Sequence, residues 1–297
     1  MKNLKAQLAC LSIVCIWSGW IVISRLGVQT RLQPADITLL RYGTALIGVS
    51  PLIARHSWNK FKLYQYLIVG LGVGFPYTLF SFYGLREIKA AHAGVLVNGM
   101  LPVLGLITAW FLFRRKITVL RYGAIGLIFI SNFIMAGSDT FSTEHLVGIF
   151  LLLSAAVAYT MHMTGIRLWE FGWRDVLVTV PVMNVLLFVP LWFFFPTALF
   201  QAPLREIALQ SFYQGVVVNI VALMFVAYSI RRLGLITVSL YMSFVPVVTA
   251  LFAWIFLSES LNVREVWGIA GCSAGLLLYA GGQTPSQADI LLSKSGS

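Results

Sequence analysis

Several residues lie in apolar surroundings with side chains that could do chemistry. His162 sits inside the run VAYTMHMTG. An imidazole there can exchange a proton near neutral pH or hydrogen-bond a substrate carboxylate. The alternative is a neutral histidine bonded to a neighbouring helix, since polar side chains also join helices. Asn98 and Asn219 are carboxamides within otherwise apolar runs, where exposure to lipid would leave them unpaired at a cost of kilocalories. They must face protein or a watery cavity, so substrate contact and helix–helix bonding are both open. Trp17, Tyr77, Tyr159 and Tyr241 each offer a flat apolar wall with a hydrogen-bonding tip. Singly such rings read as packing; together they suggest a pocket for mid-sized amphipathic molecules. Arg41 lies deep enough in an apolar run to need Asp36 or a helix carbonyl as partner, or to snorkel along its stem to the interface.

Other chemistry is missing. The ten carboxylates fall at segment ends or in connecting stretches, whereas an ion relay usually shows one at mid-membrane depth. If such a chain moves solutes, facilitated or exchange transport, or weak proton coupling through histidine, is favoured over a carboxylate-driven pump. His92, near the start of a segment, reads as interfacial, and His56 and His145 as loop residues. Cys10, Cys15 and Cys272 are an odd set inside apolar runs without a CxxC, which supports neither a disulfide frame nor a metal site and reads as small core residues. No cofactor is expected.

The elements that must position these groups are membrane helices. With 59% hydrophobic and 10% charged residues and a mean hydropathy of +0.87, the 297-residue chain is unlike a soluble domain, whose charged share is about a quarter. Apolar runs fall at about 6–28, 36–54, 63–85, 91–112, 119–137, 146–166, 176–195, 209–231, 235–257 and 265–282, each near the roughly 20 residues that a helix needs to cross a bilayer. This predicts an all-α polytopic protein of ten transmembrane helices. The net charge of +11 is dispersed between the runs, which argues against nucleic acid as a partner. If the N-terminus is cytoplasmic, inner segments carry fourteen of the 21 Lys and Arg and outer segments six. The excess predicts both termini inside, in the inner (plasma) membrane. The opening MKNLK leads into more than twenty largely apolar residues without a convincing cleavage site, and reads as a retained first helix.

The chain repeats itself. Tyr83-Gly84-Leu85-Arg86 recurs as Tyr228-Ser229-Ile230-Arg231, Pro102 and Trp110 as Pro246 and Trp254, and Gly123 and Gly126 as Gly268 and Gly271. Five helices per half is an odd number, so the halves must insert with opposite orientation, the plan of many secondary transporters. Residues 1–137 form the first repeat, 138–144 a linker, 145–282 the second repeat and 283–297 a cytoplasmic tail. Gly70/Gly74 and Gly271/Gly275 permit close helix approach. Pro76, Pro102 and Pro246 interrupt their segments, as gating bends or as static kinks.

At WSGW (17–20), LRYGTA (40–45), FYGLREIKAAHAGVLVNGMLPV from Phe82 and YSIRRLGLITVSLYMSFVPVVTALFAWIFLSESLN from Tyr228, the chain resembles the EamA-type family of the drug/metabolite transporter superfamily. The likeness spans nearly the whole chain. It departs where the family often carries a Glu after the fourth segment: Glu259 fits the second such place, while Arg115 stands in the first. The resemblance implies a central cavity lined by segments 1, 3, 4, 6, 8 and 9, which leaves Asn184 of the seventh as a packing residue. It also implies export of amino acids or related small metabolites by alternating access. Uptake of another metabolite class is the rival within transporters. A membrane-embedded enzyme is disfavoured by the lack of HExxH, GxSxG or paired intramembrane aspartates, and a channel by the lack of repeated polar rings. The expected partners are a small-molecule substrate and the lipid bilayer, and a homodimer is compatible with the sequence.

Overall fold

The computed structural model of the chain describes residues 4–113, 118–136, 143–233, 238 and 241–281. Arg114, Arg115 and Lys116, most of the linker (138–142) and the tail (283–297) lie outside the described residues. Among those described, the chain is helical with no strand. The helices are α1 (Leu4–Val28), α2 (Pro34–Ile53), α3 (Leu63–Gly72), α4 (Phe75–Glu87), α5 (Ala90–Phe113), α6 (Val119–Ala136), α7 (Thr143–Leu168) and α8 (Trp173–Trp192). There follow α9 (Leu204–Gln210), a π-helical stretch (Ser211–Ala222), α10 (Leu223–Leu233), α11 (Val245–Leu257) and α12 (Val263–Gly281). Five described helical stretches are long and apolar enough to cross a membrane: Leu4–Val28, Leu63–Glu87, His145–Leu168, Trp173–Trp192 and Leu204–Ile230. Ala90–Gly105, Val119–Asn132 and Val245–Leu257 are apolar but shorter.

The helices depart from ten uninterrupted runs in three places, each with a local cause. The third run breaks between α3 and α4, because Pro76 in the first turn of α4 has no N–H to give and Gly74 adopts an extended conformation. The eighth run continues from α9 through twelve π-helical residues into α10. The ninth begins its described helix at Val245, with Pro246 in the first turn, where a proline's missing donor costs nothing. Pro102, by contrast, lies inside a continuous α5, so the two repeated prolines occupy different positions in their helices. His145 lies in the first turn of α7 rather than in a loop. Cys10 and Cys272 are buried, whereas Cys15 is exposed and not a core residue.

The described residues group into two compact units that each draw on both halves of the sequence, one from within 1–22, 90–142 and 224–297, the other from 23–89 and 143–223. The first unit centres on α5, α6, α11 and α12, around Ala91, Val95, Ile128, Ala250, Ile269, Cys272 and Leu276. Here α12 approaches α6 closely. A Cβ on Gly275 would lie 2.6 Å from Ile128 Cγ1 and 3.0 Å from the Ala124 carbonyl, so the absence of a side chain is what admits the contact. The α1 Ser18 hydroxyl donates to the Val245 carbonyl of α11 at 3.1 Å. The second unit packs α2, α3, α4, α7, α8 and the π-helical stretch. One of its cores gathers Tyr42, Tyr66, Val69, Phe171, Val176, Val180 and Met183, and another Ala35, Leu79, Phe188 and Trp192.

Candidate functional site

The break between α3 and α4 releases backbone groups that the second unit reuses. Asn184 of α8 is fully buried. Its Oδ1 accepts the Phe75 N–H at 2.6 Å, and its Nδ2 donates to the Gly70 carbonyl at 2.9 Å and to Val180 O of its own helix at 2.7 Å. One carboxamide thus satisfies a donor and an acceptor that Pro76 and Gly74 leave over, as a buried polar backbone requires. The Val69 carbonyl, in the last turn of α3, accepts from His162 Nδ1 of α7 at 2.6 Å. Gly72 makes room for this approach, since a Cβ there would lie 2.9 Å from His162 Cβ.

Beside His162 stand two tyrosines. The rings of Tyr77 (α4) and Tyr159 (α7) lie 5.6 Å apart between centroids, and Tyr159 lies 5.8 Å from the His162 ring. The Arg41 charge acts on the hydroxyls of Tyr42, Tyr77 and Tyr159. Arg41, only 3% exposed, does not snorkel. Its Nη1 donates to Gln214 Oε1 of the π-helical stretch at 2.8 Å, and the guanidinium lies 5.6 Å from the Tyr42 ring centroid. Gln214 Nε2 in turn donates to Ser24 Oγ at 3.0 Å and Gln210 Oε1 at 3.2 Å, and Gln210 Nε2 donates to the Ile23 carbonyl at 2.9 Å. Asp36, one of the partners considered for Arg41, is occupied elsewhere: its carboxylate accepts from the N–H groups of Gln33 and Ala198, from Trp192 Nε1 and from the Thr197 hydroxyl. The second unit therefore brings together Tyr77, Tyr159 and His162 of the residues singled out, and adds Arg41 and Gln214. Gln210 and Gln214 were missed by sequence reasoning, although their four-residue spacing in an apolar run puts both on one helix face.

The remaining candidates are placed differently. Asn219, half-buried, donates to the Gln214 carbonyl five residues back at 2.8 Å, in keeping with the π-helical register. Trp17, Asn98 and Tyr241 belong to the first unit, where all three are half-buried. Asn98 Nδ2 donates to the Gly94 carbonyl of its own helix at 2.8 Å.

Two helix starts carry a carboxylate paired with histidine. In the first unit, Asn262 and Glu265 form a reciprocal cap on α12: the Asn262 N–H donates to Glu265 Oε2 at 2.7 Å, and the Glu265 N–H to Asn262 Oδ1 at 2.9 Å. Glu265 Oε1 lies 2.7 Å from His92 Nε2. At 8% exposure His92 is buried, not interfacial. In the second unit, Asp175 caps α8 by accepting the Gly172 N–H at 2.9 Å. It pairs with Lys60 Nζ at 2.5 Å and lies 3.7 Å from His56 Nδ1. His56 sits between α2 and α3 against Trp58 and Tyr66. Burial pushes its imidazole below the ordinary 6.5, with Asp175 pulling the other way and Lys60 adding to the depression.

Comparison with known proteins bears on what these groups serve. The sequence pattern of the EamA-like transporter family matches residues 4–137 and 146–281. An uncharacterized transporter, YoaV of Bacillus subtilis (strain 168), is 22% identical over 290 residues, covering 92% of this chain and 96% of its own length. A solved crystal structure shares the fold with a TM-score of 0.63 at 15% identity, over 99% of both chains.

Proposed function

Because the chain belongs to the EamA-like transporter family and is a multi-pass membrane transporter, we propose that it exports small metabolites, amino acids or related amphipathic compounds, by alternating access. The observation that carries this reading is the group formed by Tyr77, Tyr159 and His162 beside the buried Arg41. It combines flat apolar walls, hydroxyl and imidazole tips and a positive charge, which is what a zwitterionic or anionic amphipathic solute needs for recognition. Trp17, Asn98, Asn219 and Tyr241 are further candidate substrate-binding residues, and Pro76, Pro102 and Pro246 candidate gating residues. Residues 1–137 and 145–282 act as inverted five-helix repeats, ten spans in all, with both termini in the cytoplasm of a cell whose inner membrane holds the protein. The chain performs no covalent chemistry on its substrate.

The break at Gly74 supports a moving part there. A helix interrupted next to a solute site exposes backbone groups that a substrate or a second conformation can use, and Asn184 holds them in the present one. Counterflow in proteoliposomes against a panel of amino acids and small metabolites tests the function. Saturable exchange of at least one unmodified panel member is expected, with a loss of about tenfold or more in uptake rate for Arg41→Met, since a buried charged hydrogen-bonding group is worth on the order of 1.5–3 kcal/mol. A broad panel in which nothing moves would overturn the amino-acid reading.

A further inference from the structure

We propose that the end of the second unit where α2 gives way to α3, and α7 to α8, is a binding site for the headgroups of anionic phospholipids. Such a site takes hold of the protein's surroundings and does not depend on what the transported solute is. Three of the membrane-long stretches, Leu63–Glu87, His145–Leu168 and Trp173–Trp192, start or finish at this end. Its two loops therefore stand where the hydrocarbon gives way to headgroups.

The loops, residues 54–62 and 167–175, carry Arg55, Lys60, Lys62, Arg167 and Arg174 against two carboxylates, Glu170 and Asp175. Asp175 is spent inside the protein, on the Lys60 ammonium at 2.5 Å and the Gly172 N–H at 2.9 Å. Arg55, Lys62 and Arg174 are exposed. A lipid phosphate beside them gains charge-assisted hydrogen bonds, and each lysine or arginine near an anionic membrane surface strengthens attachment about fivefold. The net negative charge of the lipid is what this excess selects, so a zwitterionic headgroup with the same phosphate gains less.

The cations are presented from a fixed platform. Phe61 and Phe171, one from each loop, stack with centroids 3.8 Å apart and planes 11° from parallel. Tyr66 packs against both, at 5.6 and 5.8 Å, and its hydroxyl lies 3.2 Å from His56 Nε2. Lys62 stands just before α3, its N–H donating to Gln65 Oε1 at 2.8 Å. Arg174 stands in the first turn of α8, its guanidinium 5.1 Å from the Trp173 ring centroid. Trp58, Trp169 and Trp173 are half-buried and Tyr64 is exposed, with Tyr64 edge-on to Trp169 at 5.7 Å. Rings with an apolar body and a polar tip settle at headgroup level, so one end offers an apolar rim to acyl chains and a basic one to phosphates. The opposite end of the unit is basic too, but there two guanidiniums are used by the protein itself: Arg25 donates to the Leu85 and Arg86 carbonyls, and Arg86 to Gln33 Oε1 at 2.7 Å.

The test uses the full chain in detergent, titrated with phosphatidylglycerol or with phosphatidylcholine of the same acyl chains, the bound lipid counted by native mass spectrometry. A preference of about tenfold or more for phosphatidylglycerol is expected. Lys62→Gln combined with Arg174→Gln should weaken its binding about 25-fold, at about fivefold per cation, while Lys62→Arg combined with Arg174→Lys keeps the parent's affinity. Arg31→Gln combined with Arg205→Gln removes the same charge from exposed positions at the opposite end, beyond the reach of screened charges, and should change binding less than about threefold. Glycerol phosphate, a headgroup without chains, should not displace the lipid at equal concentration. Equal losses in the two Gln pairs would mean that only overall surface charge counts. A like loss in the pair that keeps its charges would mean that charge is not what is recognised, and displacement by glycerol phosphate would mean a site for free anions. Each of these overturns the proposal, as does equal binding of the two lipids.

Discussion

Glu265 and Asp175 do the same backbone work in the two units. Each sits in the first turn of a helix, α12 and α8, and each accepts an N–H at the helix start. Their second partners differ. Glu265 meets a buried histidine at 2.7 Å, whereas Asp175 meets a half-exposed lysine at 2.5 Å with a histidine further off at 3.7 Å. A lysine keeps its charge across the physiological range and, being near water, contributes little net stability. A histidine buried against a buried carboxylate is shielded from water on both sides, where a hydrogen bond is stronger than at the surface. Two similar caps therefore give one site that holds a loop against a helix and one that ties two helix starts together.

Breaking each pair separates the two cases. The largest effect is expected for Glu265→Ala, which removes a buried partner and a cap together and should cost about 3 kcal/mol or more, seen as a fall in the melting temperature of the purified protein. Asp175→Ala should cost less, on the order of 1–2 kcal/mol, because most of what is lost is a cap with a partly solvated pair. Lys60→Met should cost no more than about 0.5–1 kcal/mol in the same melt, since its ammonium is half-exposed. Equal losses for Glu265→Ala and Lys60→Met would erase the distinction drawn between the units.

The smallest effect is a slope with pH. His56 has its folded value lowered by burial, so the unfolded chain binds a proton more readily. The stability that neutral His56 contributes is complete above its ordinary value near 6.5 and is lost as pH falls below it toward the depressed folded value. Melting temperature measured downward from pH 7 should fall less steeply in His56→Gln than in the parent chain. An unchanged slope would mean that this histidine is not held neutral by its burial against Trp58 and Tyr66.

Much of this was legible in the residues. Apolar length placed the helices, the doubled Pro and Gly spacings revealed two related halves, and the isolated polar residues in apolar runs picked out Tyr77, Tyr159 and His162, which the second unit brings together. The Asn262-x-x-Glu265 spacing also reads as a cap on inspection. What escaped were relations across sequence distance. For Arg41 the sequence offers Asp36, a helix carbonyl or the interface, yet its hydrogen bond goes to Gln214, 173 residues away. His92, whose place near a segment start suggests the interface, is instead buried and meets Glu265, also 173 residues away. Asn184 was read as packing, and its packing proved to be the bridging of a broken helix.

By itself the sequence determined that this chain lives in a membrane as helices and that its two halves share one pattern, because apolar length and repeat spacing are local or periodic properties of the residues. Tertiary structure alone decided which buried polar groups answer one another. In a medium without water each must find a protein partner, and that partner is chosen by which helices pack side by side, as when α8 lies against the gap between α3 and α4 or α12 brings Glu265 to His92.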